Sequence, residues 1–232
     1  MPSAAASSDV VDAGRFAPDR DFFARPATEI APLLLGARLT HESDAGKVVL
    51  RLTEVEAYLG DEADPGSHAF RGRTRRNGVM YGPPGFVYVY FTYGMHVCAN
   101  IVCSPEGSAS AVLLRAAEVV EGEPLAQARR GTVPPRDLAR GPARLTVAAG
   151  IRLDENGSDA LAPPFGLELE PHPPASLAGP RVGVSGDGGG EAYPWRFWVA
   201  GDPSVSVYRA AQRRPVTRRD GRAPRTPPPS RG

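Results

Sequence analysis

Cysteine is scarce in this chain, and its two copies argue against a metal site. Cys98 and Cys103 lie five residues apart in an apolar stretch, with no CxxC pair and no histidines at the spacing that metal ligands need. Apolar runs are short as well. No segment approaches the length that spans a bilayer, and no charged leader precedes an apolar stretch, so we expect a protein of the reducing cytoplasm without membrane contact.

Lysine is rarer still, because Lys47 is the only lysine among the 27 basic residues. The arginines cluster at 71–76 and again at 213–232, although the net charge of the chain is only +1. Two local positive patches favour a polyanionic partner. Alternatively, the bias toward arginine, alanine, glycine and proline records nucleotide composition alone, and the charge pattern leaves both interpretations open.

Length and composition predict one folded domain between two disordered ends. With 232 residues, of which 41% are hydrophobic, the chain is long enough to bury a core. Residues 1–18 are small and polar without periodicity, and we expect a disordered N-terminal segment there. Residues 19–212 are the predicted domain, and residues 213–232 are a predicted disordered tail rich in arginine and proline.

Hydrophobic patterns predict an α+β fold with an antiparallel β-sheet core and surrounding helices. A helix capped by Thr28 and ended by Gly36 precedes the sheet, and two more are expected at 121–130 and 143–149. Enrichment in β-branched and aromatic residues predicts strands, and short connections favour antiparallel pairing. The predicted strands cover residues 48–58, 86–93, 97–102, 110–116, 181–184 and 195–199.

Two carboxylates interrupt the first predicted strand. Strict alternation gives one face of that strand to five residues, Leu50, Leu52, Glu54, Glu56 and Tyr58. A charge buried on this face is costly unless it is paired or hydrated. The segment is therefore either an exposed strand end with a salt bridge or a functional site.

The loop and the aromatic strand that follow carry a second set of polar groups. The loop runs to Gly85 and holds His68, Asn77 and four arginines, and ordered loops of this length are usually functional. The next strand contributes tyrosines at 88, 90 and 93. Aromatic platforms beside arginines suit base stacking and phosphate contact. The alternative is that the tyrosines are ordinary sheet residues with their hydroxyls at the rim.

Short motifs follow one another along the chain in a specific order. They are Glu56-Ala57-Tyr58-Leu59-Gly60, His68, Arg75-Arg76-Asn77-Gly78-Val79-Met80, Pro84-Gly85, Tyr88-Val89-Tyr90, Tyr93-Gly94-Met95, Asn100, Leu113-Leu114-Arg115, Arg181-Val182-Gly183-Val184 and Trp195-Arg196-Phe197. This series resembles the alkyladenine (3-methyladenine) DNA glycosylase family. The resemblance runs from Arg20 to Ala210 and is weakest between Arg130 and Pro180.

The resemblance implies a DNA glycosylase that flips alkylated or deaminated purines from duplex DNA and hydrolyses the N-glycosidic bond, initiating base excision repair. Glu56 corresponds to the carboxylate that activates the water, and Arg115 to a residue near that water. Glu54 is the competitor for this role, but the Ala-Tyr that follows Glu56 favours Glu56. Glu54 would support the strand or pair with an arginine and be dispensable for chemistry. Because Lys47 is the sole lysine and precedes the site strand, we expect a monofunctional enzyme without Schiff-base chemistry.

The resemblance also implies how the base and the duplex are held. Tyr58 corresponds to one wall of the base pocket, and Tyr90 with His68 to the other. Asn100 corresponds to a residue that would exclude the amino group of unmodified guanine. Tyr93 corresponds to a wedge on a protruding DNA-intercalating β-hairpin. The candidate contacts to the DNA backbone are Arg71, Arg73, Arg75 and Arg76.

The implied partner is damaged double-stranded DNA, bound by a monomer in the cytoplasm and, in a bacterium, at the nucleoid. Hydrolysis by an activated water requires neither a cofactor nor a metal. A binding module on the same scaffold is a competing class, but the retention of Glu56 and Arg115 does not support it. A carbohydrate hydrolase that uses Glu54 and Glu56 is disfavoured, because residues i and i+2 of a strand lie roughly 7 Å apart on one side of a substrate.

Overall fold

The computed structural model describes residues 14–92 and 94–211, and an antiparallel β-sheet forms the centre of this part of the chain. Its strands are β1 (Arg38–Ser43), β2 (Gly46–Leu59), β3 (Val87–Thr92), β4 (His96–Val102), β5 (Ser110–Glu121), β6 (Ala139–Arg140), β7 (Phe165–Glu168), β8 (Ser176–Gly179) and β9 (Arg196–Val199). The main path runs β3-β4-β5-β2-β1-β7, while β6 pairs with β5 and β9 pairs with both β2 and β8. The two longest strands, β2 and β5, therefore lie side by side at the centre.

Short helices accompany the sheet, which confirms the predicted α+β class. They are α1 (Arg20–Phe23), α2 (Ala27–Ile30), α3 (Glu123–Arg130) and α4 (Pro142–Ala149). Leu145 and Ala148 of α4 are fully buried in the same apolar core as Leu50 and Leu114 of the central strands. Within the two described stretches, no helix is long and apolar enough to cross a membrane.

The predicted first helix is present in a shorter and less regular form. The α-helix ends at Ile30, and residues Ala31–Leu34 continue as a 3₁₀ turn. Pro32 lies in this turn and has no N–H to donate to the carbonyl of Thr28, so an α-helix cannot continue through it. The residue before α2 is Pro26 rather than the predicted cap Thr28.

One predicted strand is wrong, and four strands were not predicted. Residues 181–184 form a turn in which Gly183 has φ 71°, a conformation that breaks strand geometry. The unpredicted strands are β1, β6, β7 and β8. Two of them, β7 and β8, have only four residues each, too few for alternation to be visible.

The ends of the predicted domain and its hairpin are only partly described. Phe16 forms an antiparallel bridge with Leu169, so paired structure begins three residues before the predicted domain, within the segment predicted to be disordered. Residues 1–13 and 212–232 lie outside the described part, and the second range includes the whole predicted tail. Strands β3 and β4 pair as an antiparallel hairpin, but Tyr93, which lies between them in the sequence, is outside the described residues, and the protrusion of the hairpin stays a prediction.

Candidate active site

A double irregularity between β2 and β5 brings three charged side chains together. The pairing passes from Leu52–Ala117 to Glu54–Ala116, which leaves Thr53 as an extra residue in β2. It then passes to Val55–Leu114, which leaves Arg115 as an extra residue in β5. A bulge reverses the faces of the residues that follow it and is a common way to aim a side chain at a site.

Because of the bulge, the two carboxylates lie on a different face of β2 from the one that strict alternation predicts. Leu50 and Leu52 lie in the apolar core, and after the bulge Val55 and Ala57 take over that face. Glu54 and Glu56 are therefore not on the leucine face, as strict alternation predicted. They lie on the opposite side of the strand, where Arg115 meets both.

Glu54 is the more heavily bound of the two carboxylates. Its side chain is fully buried, and its Oε1 accepts hydrogen bonds from Arg196 Nε at 2.6 Å and Arg115 Nε at 2.9 Å. The backbone N–H of Ser206 donates to Oε2 at 2.7 Å. Burial alone would raise the pKa of Glu54, but the two guanidinium groups and Ser206 outweigh it and hold the pKa below its usual value.

Glu56 is also fully buried but has partners of a different kind. The backbone N–H of Val182 donates to its Oε1 at 2.7 Å. Its Oε2 accepts from the hydroxyl of Tyr58 at 2.8 Å and from Arg115 Nη1 at 3.3 Å. Burial, followed by the charge of Glu56, raises the pKa of Tyr58 well above its usual value, so that hydroxyl remains a donor at neutral pH.

A cavity of about 340 Å³ opens in front of this carboxylate. Five of the predicted site residues line it: Tyr58, His68, Tyr90, Asn100 and Arg115. Glu56 lies behind this wall and is joined to it through Tyr58 and Arg115, which both donate to Oε2. The guanidinium of Arg115 and the aromatic side chains thus face one space, and Glu56 is hydrogen-bonded to two of the residues that line it.

The aromatic part of the wall is built on the short β3 strand and the loop before it. Tyr88 and Tyr90 stack with ring centres 5.3 Å apart, and the edge of His68 meets Tyr90 at 4.7 Å. Burial raises the pKa of Tyr88 to about 12. Burial, and then the positive charge of Arg76, lowers the pKa of His68. The ring of His68 is therefore neutral at neutral pH, and the cavity has an uncharged aromatic wall.

Asn100 enters the cavity from β4 with its orientation fixed. The side chain is buried, and its Nδ2 donates to the carbonyl of Tyr88 at 3.0 Å across the strand pair. Cys98 lies beside it in the lining, and burial raises the pKa of that thiol to about 11. The thiol is therefore protonated and behaves as a small apolar group.

The match to known families decides what this site belongs to. Residues 21–203 match the profile of the methylpurine-DNA glycosylase (MPG) family. The chain belongs to this family. The family predicted from the ordered motifs is thus confirmed, and with it the enzyme class, a DNA-3-methyladenine glycosylase with DNA as its substrate.

Bacterial relatives agree with the family match over most of their length. A protein of Leifsonia xyli subsp. xyli is 63% identical over 208 residues, which are 88% of this chain and 96% of the relative. A protein of Streptomyces avermitilis is 57% identical over 197 residues, 82% and 91% of the two chains. A protein of Nocardia farcinica is 50% identical over 191 residues, 78% and 87%. All three carry the provisional name 3-methyladenine DNA glycosylase.

Several residues of this methylpurine-DNA glycosylase site had no role in the sequence prediction. Arg181 is fully buried and forms a two-point ion pair with Asp64, with both N–O distances 2.6 Å. Arg196 and Ser206 hold Glu54. Arg181 and Arg196 stand inside two of the matching motifs, which is the only signal in the sequence that could have found them.

The predicted DNA-backbone arginines are all exposed on the loop beside the cavity, and they differ in how they are held. Arg76 donates to the carbonyl of Phe91 at 2.8 Å and lies 5.9 Å from the Tyr90 ring centre. Arg73 lies over Tyr81 at 5.8 Å. Arg71 lines a shallower depression with Asp61 and Glu62, and Arg75 is exposed on the same loop.

Buried Asn77 gives that loop its shape. Its Oδ1 accepts from the backbone N–H of Thr74 at 2.6 Å, and its Nδ2 donates to the carbonyls of His68 at 2.9 Å and Gly72 at 3.1 Å. One side chain thus replaces the regular hydrogen bonding that a loop lacks. It ties the exposed arginines to the backbone of His68 in the cavity wall.

Proposed function

We propose that this protein is a monofunctional DNA glycosylase that flips alkylated or deaminated purines from damaged duplex DNA and hydrolyses their N-glycosidic bond, initiating base excision repair. The observation that carries the proposal is the buried Glu56 carboxylate behind an aromatic cavity, in contact with Tyr58 and Arg115. Membership of the methylpurine-DNA glycosylase family supports the substrate class.

Glu56 is the proposed general base. It takes a proton from water as the oxygen of that water bonds to C1′ of the deoxyribose, while the bond from C1′ to the purine nitrogen breaks and its electron pair leaves with the base. The sugar carries positive charge in this transition state, and a nearby carboxylate stabilises it. Arg115, which donates to Glu56, helps to hold the carboxylate in place.

The aromatic wall is the proposed binding surface for the flipped base. Tyr58 is one wall, and His68 with Tyr90 is the other, so a purine between them gains stacking on both faces. An alkylated purine with a positive charge gains further attraction to the electron-rich ring faces. Asn100 is the proposed discriminator, because an amide fixed by Tyr88 would crowd the amino group of unmodified guanine.

The surface beside the cavity is the proposed DNA interface. Exposed Arg71, Arg73, Arg75 and Arg76 would contact phosphates. Tyr93 is the proposed wedge that fills the gap left by the flipped nucleotide, which offsets part of the cost of unstacking. We further propose that the enzyme acts as a monomer in the cytoplasm, at the nucleoid of a bacterium, with residues 19–212 as the catalytic domain.

The proposal is tested by Glu56→Gln, which keeps the shape of the side chain and removes the base. We expect this variant to bind a duplex with a single 1,N6-ethenoadenine as the wild type does, with base release reduced at least about a thousandfold. The matched control is Glu118→Gln on β5, whose carboxylate pairs with Arg51 at the surface and lies outside the cavity. Normal base release by the Glu56 variant would refute the mechanism.

Substrate range needs a parallel measurement on the wild type. Duplexes that carry 3-methyladenine, 7-methylguanine, hypoxanthine or ethenoadenine are compared under single-turnover conditions with an undamaged duplex. We expect release from at least one of the damaged duplexes and none from the undamaged one. Absence of release from all four would refute the proposed activity.

A further inference from the structure

Glu54 has more partners than a carboxylate that only supports a strand requires. Two guanidinium groups and the backbone N–H and hydroxyl of Ser206 all donate to it, the hydroxyl to Oε1 at 3.0 Å. A fully buried carboxylate with this many donors is ionised and immobile. The side chain that it immobilises on the cavity side is Arg115.

Arg115 divides its N–H groups unequally between two carboxylates. Its Nε donates to Glu54 at 2.9 Å, whereas its Nη1 reaches Glu56 at 3.3 Å. A guanidinium usually binds a carboxylate through two parallel N–H groups when nothing prevents it. Here the Nε of Arg115 donates to Glu54 and its Nη2 points at the Ser206 hydroxyl, 3.5 Å away. Only Nη1 reaches Glu56, which receives one long hydrogen bond instead of a two-point ion pair.

We propose that Glu54 is a positioning residue for hydrolysis, which holds Arg115 away from a two-point ion pair with Glu56 and so preserves Glu56 as a base. The inference rests on the proposed role of Glu56 as the base. A carboxylate neutralised by a close two-point ion pair is a weaker proton acceptor than one with a single long contact. Glu54 therefore acts on the chemistry through Arg115. This role differs from the expectation that Glu54 is dispensable.

Arg196 is a second anchor of Glu54 and donates to the same oxygen, Oε1, as Arg115 does. The Nη2 of Arg196 donates to the carbonyl of Ser206 at 3.0 Å, and its guanidinium lies 4.4 Å from the ring centre of Trp198. Ser206 lies beyond residue 203, where the family match ends. The segment after β9 thus belongs to the positioning apparatus.

Of the groups that face Glu56, Arg115 is the one whose contact a change at Glu54 would alter. Those groups are Glu54 and Tyr58 on its own strand, Arg115 on β5, Tyr90 on β3, Cys98 on β4, and Arg181 with the Val182 N–H on the turn after β8. Burial raises the pKa values of the tyrosines and of Cys98, so these groups are protonated at neutral pH and below. A shift in the acid side of the rate profile of Glu54→Gln therefore reports on the contact between Arg115 and Glu56 together with the lost charge of Glu54. Ser206→Ala keeps that charge and so reports on the contact alone.

The test compares Glu54→Gln with Glu54→Asp in the full chain. Single-turnover release of 3-methyladenine from dimethyl-sulfate-treated duplex DNA is followed against pH, with binding to a duplex that carries a tetrahydrofuran abasic analogue measured in parallel. For Glu54→Gln we expect a plateau rate at least about tenfold lower and an acid limb moved to lower pH by about half a unit or more, with nearly unchanged binding. Glu54→Asp keeps the charge and should recover part of both effects.

Ser206→Ala is the milder second variant, in case Glu54→Gln does not fold. It removes the hydroxyl that donates to Glu54 and should shift the acid limb in the same direction by a smaller amount. Glu118→Gln serves as the control for loss of an ion pair elsewhere on β5. A wild-type acid limb in folded Glu54→Gln or, if that variant is unfolded, in Ser206→Ala overturns the inference. A loss of rate that follows only a loss of binding overturns it too.

These experiments distinguish a failure of this inference from a failure of the proposed function. A wild type that releases no base, or a Glu56→Gln variant that releases it normally, overturns the proposed function and this inference together. An inactive Glu56→Gln beside a folded Glu54→Gln with the wild-type rate profile overturns the inference alone.

Discussion

Arg181 lies over the ring of Tyr58, with the centre of its guanidinium 4.5 Å from the ring centre. Tyr58 lines the cavity, while Arg181 is fully buried behind it and donates to the carbonyl of Ala57 at 3.0 Å. The residue next to Arg181 is Val182, whose N–H donates to Glu56. One buried cation thus fixes the stacking wall and, through its neighbour, the proposed base.

Arg181 forms a buried ion pair with Asp64. Replacing Arg181 alone should destabilise the protein more than replacing both residues of the pair. Arg181→Met leaves Asp64 ionised and unpaired, and we expect a loss of about 3–5 kcal/mol in the free energy of unfolding. The double variant with Asp64→Asn should recover part of that loss, because no unpaired charge remains. Urea unfolding of the single and double variants measures both. Equal stability of the Arg181→Met variant and the wild type would contradict a stabilising role for the pair.

The fold class and most of the central elements follow from local patterns in the sequence. The strands β2, β3, β4, β5 and β9 and the helices α3 and α4 were predicted because each presents a run of apolar or aromatic residues with the period of its element. Alternation did not reveal the bulge, which depends on pairing between β2 and β5. The motif therefore selected Glu56 as a candidate site residue, but alternation placed it on the wrong face of β2.

The residues that hold Glu54 in place were harder to predict from the sequence. Glu54 is joined by Arg196 and Ser206, which are 142 and 152 residues away. Such contacts depend on the strand order, in which β9 pairs with β2 across a long connection. Local periodicity carries no information about partners at that distance, so the sequence did not reveal these contacts.

The exposed arginines should set the salt dependence of DNA binding. Each phosphate contact contributes about 0.9 to the slope of log affinity against log salt concentration. Arg75→Gln should lower that slope by about this amount if Arg75 contacts a phosphate, and should leave single-turnover base release at saturation unchanged. Fluorescence anisotropy with duplex DNA from low to high salt measures the slope. Arg152→Gln, a highly exposed arginine paired with Asp154 at 3.0 Å, is the matched control, and equal slopes for both variants would remove Arg75 from the interface.

His68 should make the binding of a cationic base sensitive to acid. Burial and the charge of Arg76 lower the pKa of His68, so its ring is neutral near pH 7 and becomes charged only in more acidic solution. Below that pKa the imidazolium repels a positively charged base, and the affinity of the Glu56→Gln variant for a 7-methylguanine duplex should fall. Replacing Arg76 with Gln removes a cation and should raise the pKa of His68.

The fall in affinity should then begin at a higher pH in the variant that also carries Arg76→Gln. NMR titration of the His68 ring measures the pKa, and binding at several pH values measures the affinity. A duplex with neutral ethenoadenine is the control, because its binding lacks the charge repulsion. An unchanged His68 titration after Arg76→Gln would exclude Arg76 as the cause.

Tyr58→Phe should shift the rate profile in the direction opposite to Glu54→Gln. The variant keeps the ring that faces the cavity but removes the hydroxyl that donates to Glu56 at 2.8 Å. Loss of a donor to the carboxylate makes its ionised form less stable, so the acid limb of single-turnover base release should move to higher pH. Binding to an abasic-analogue duplex should remain close to that of the wild type, whereas Tyr58→Ala should lose the stacking contribution of about 1–3 kcal/mol to binding of a lesion-bearing duplex. A shift of the acid limb to lower pH in Tyr58→Phe would mean that Arg115 closes on Glu56 when the hydroxyl is lost, and would show that Tyr58 as well as Glu54 controls that approach.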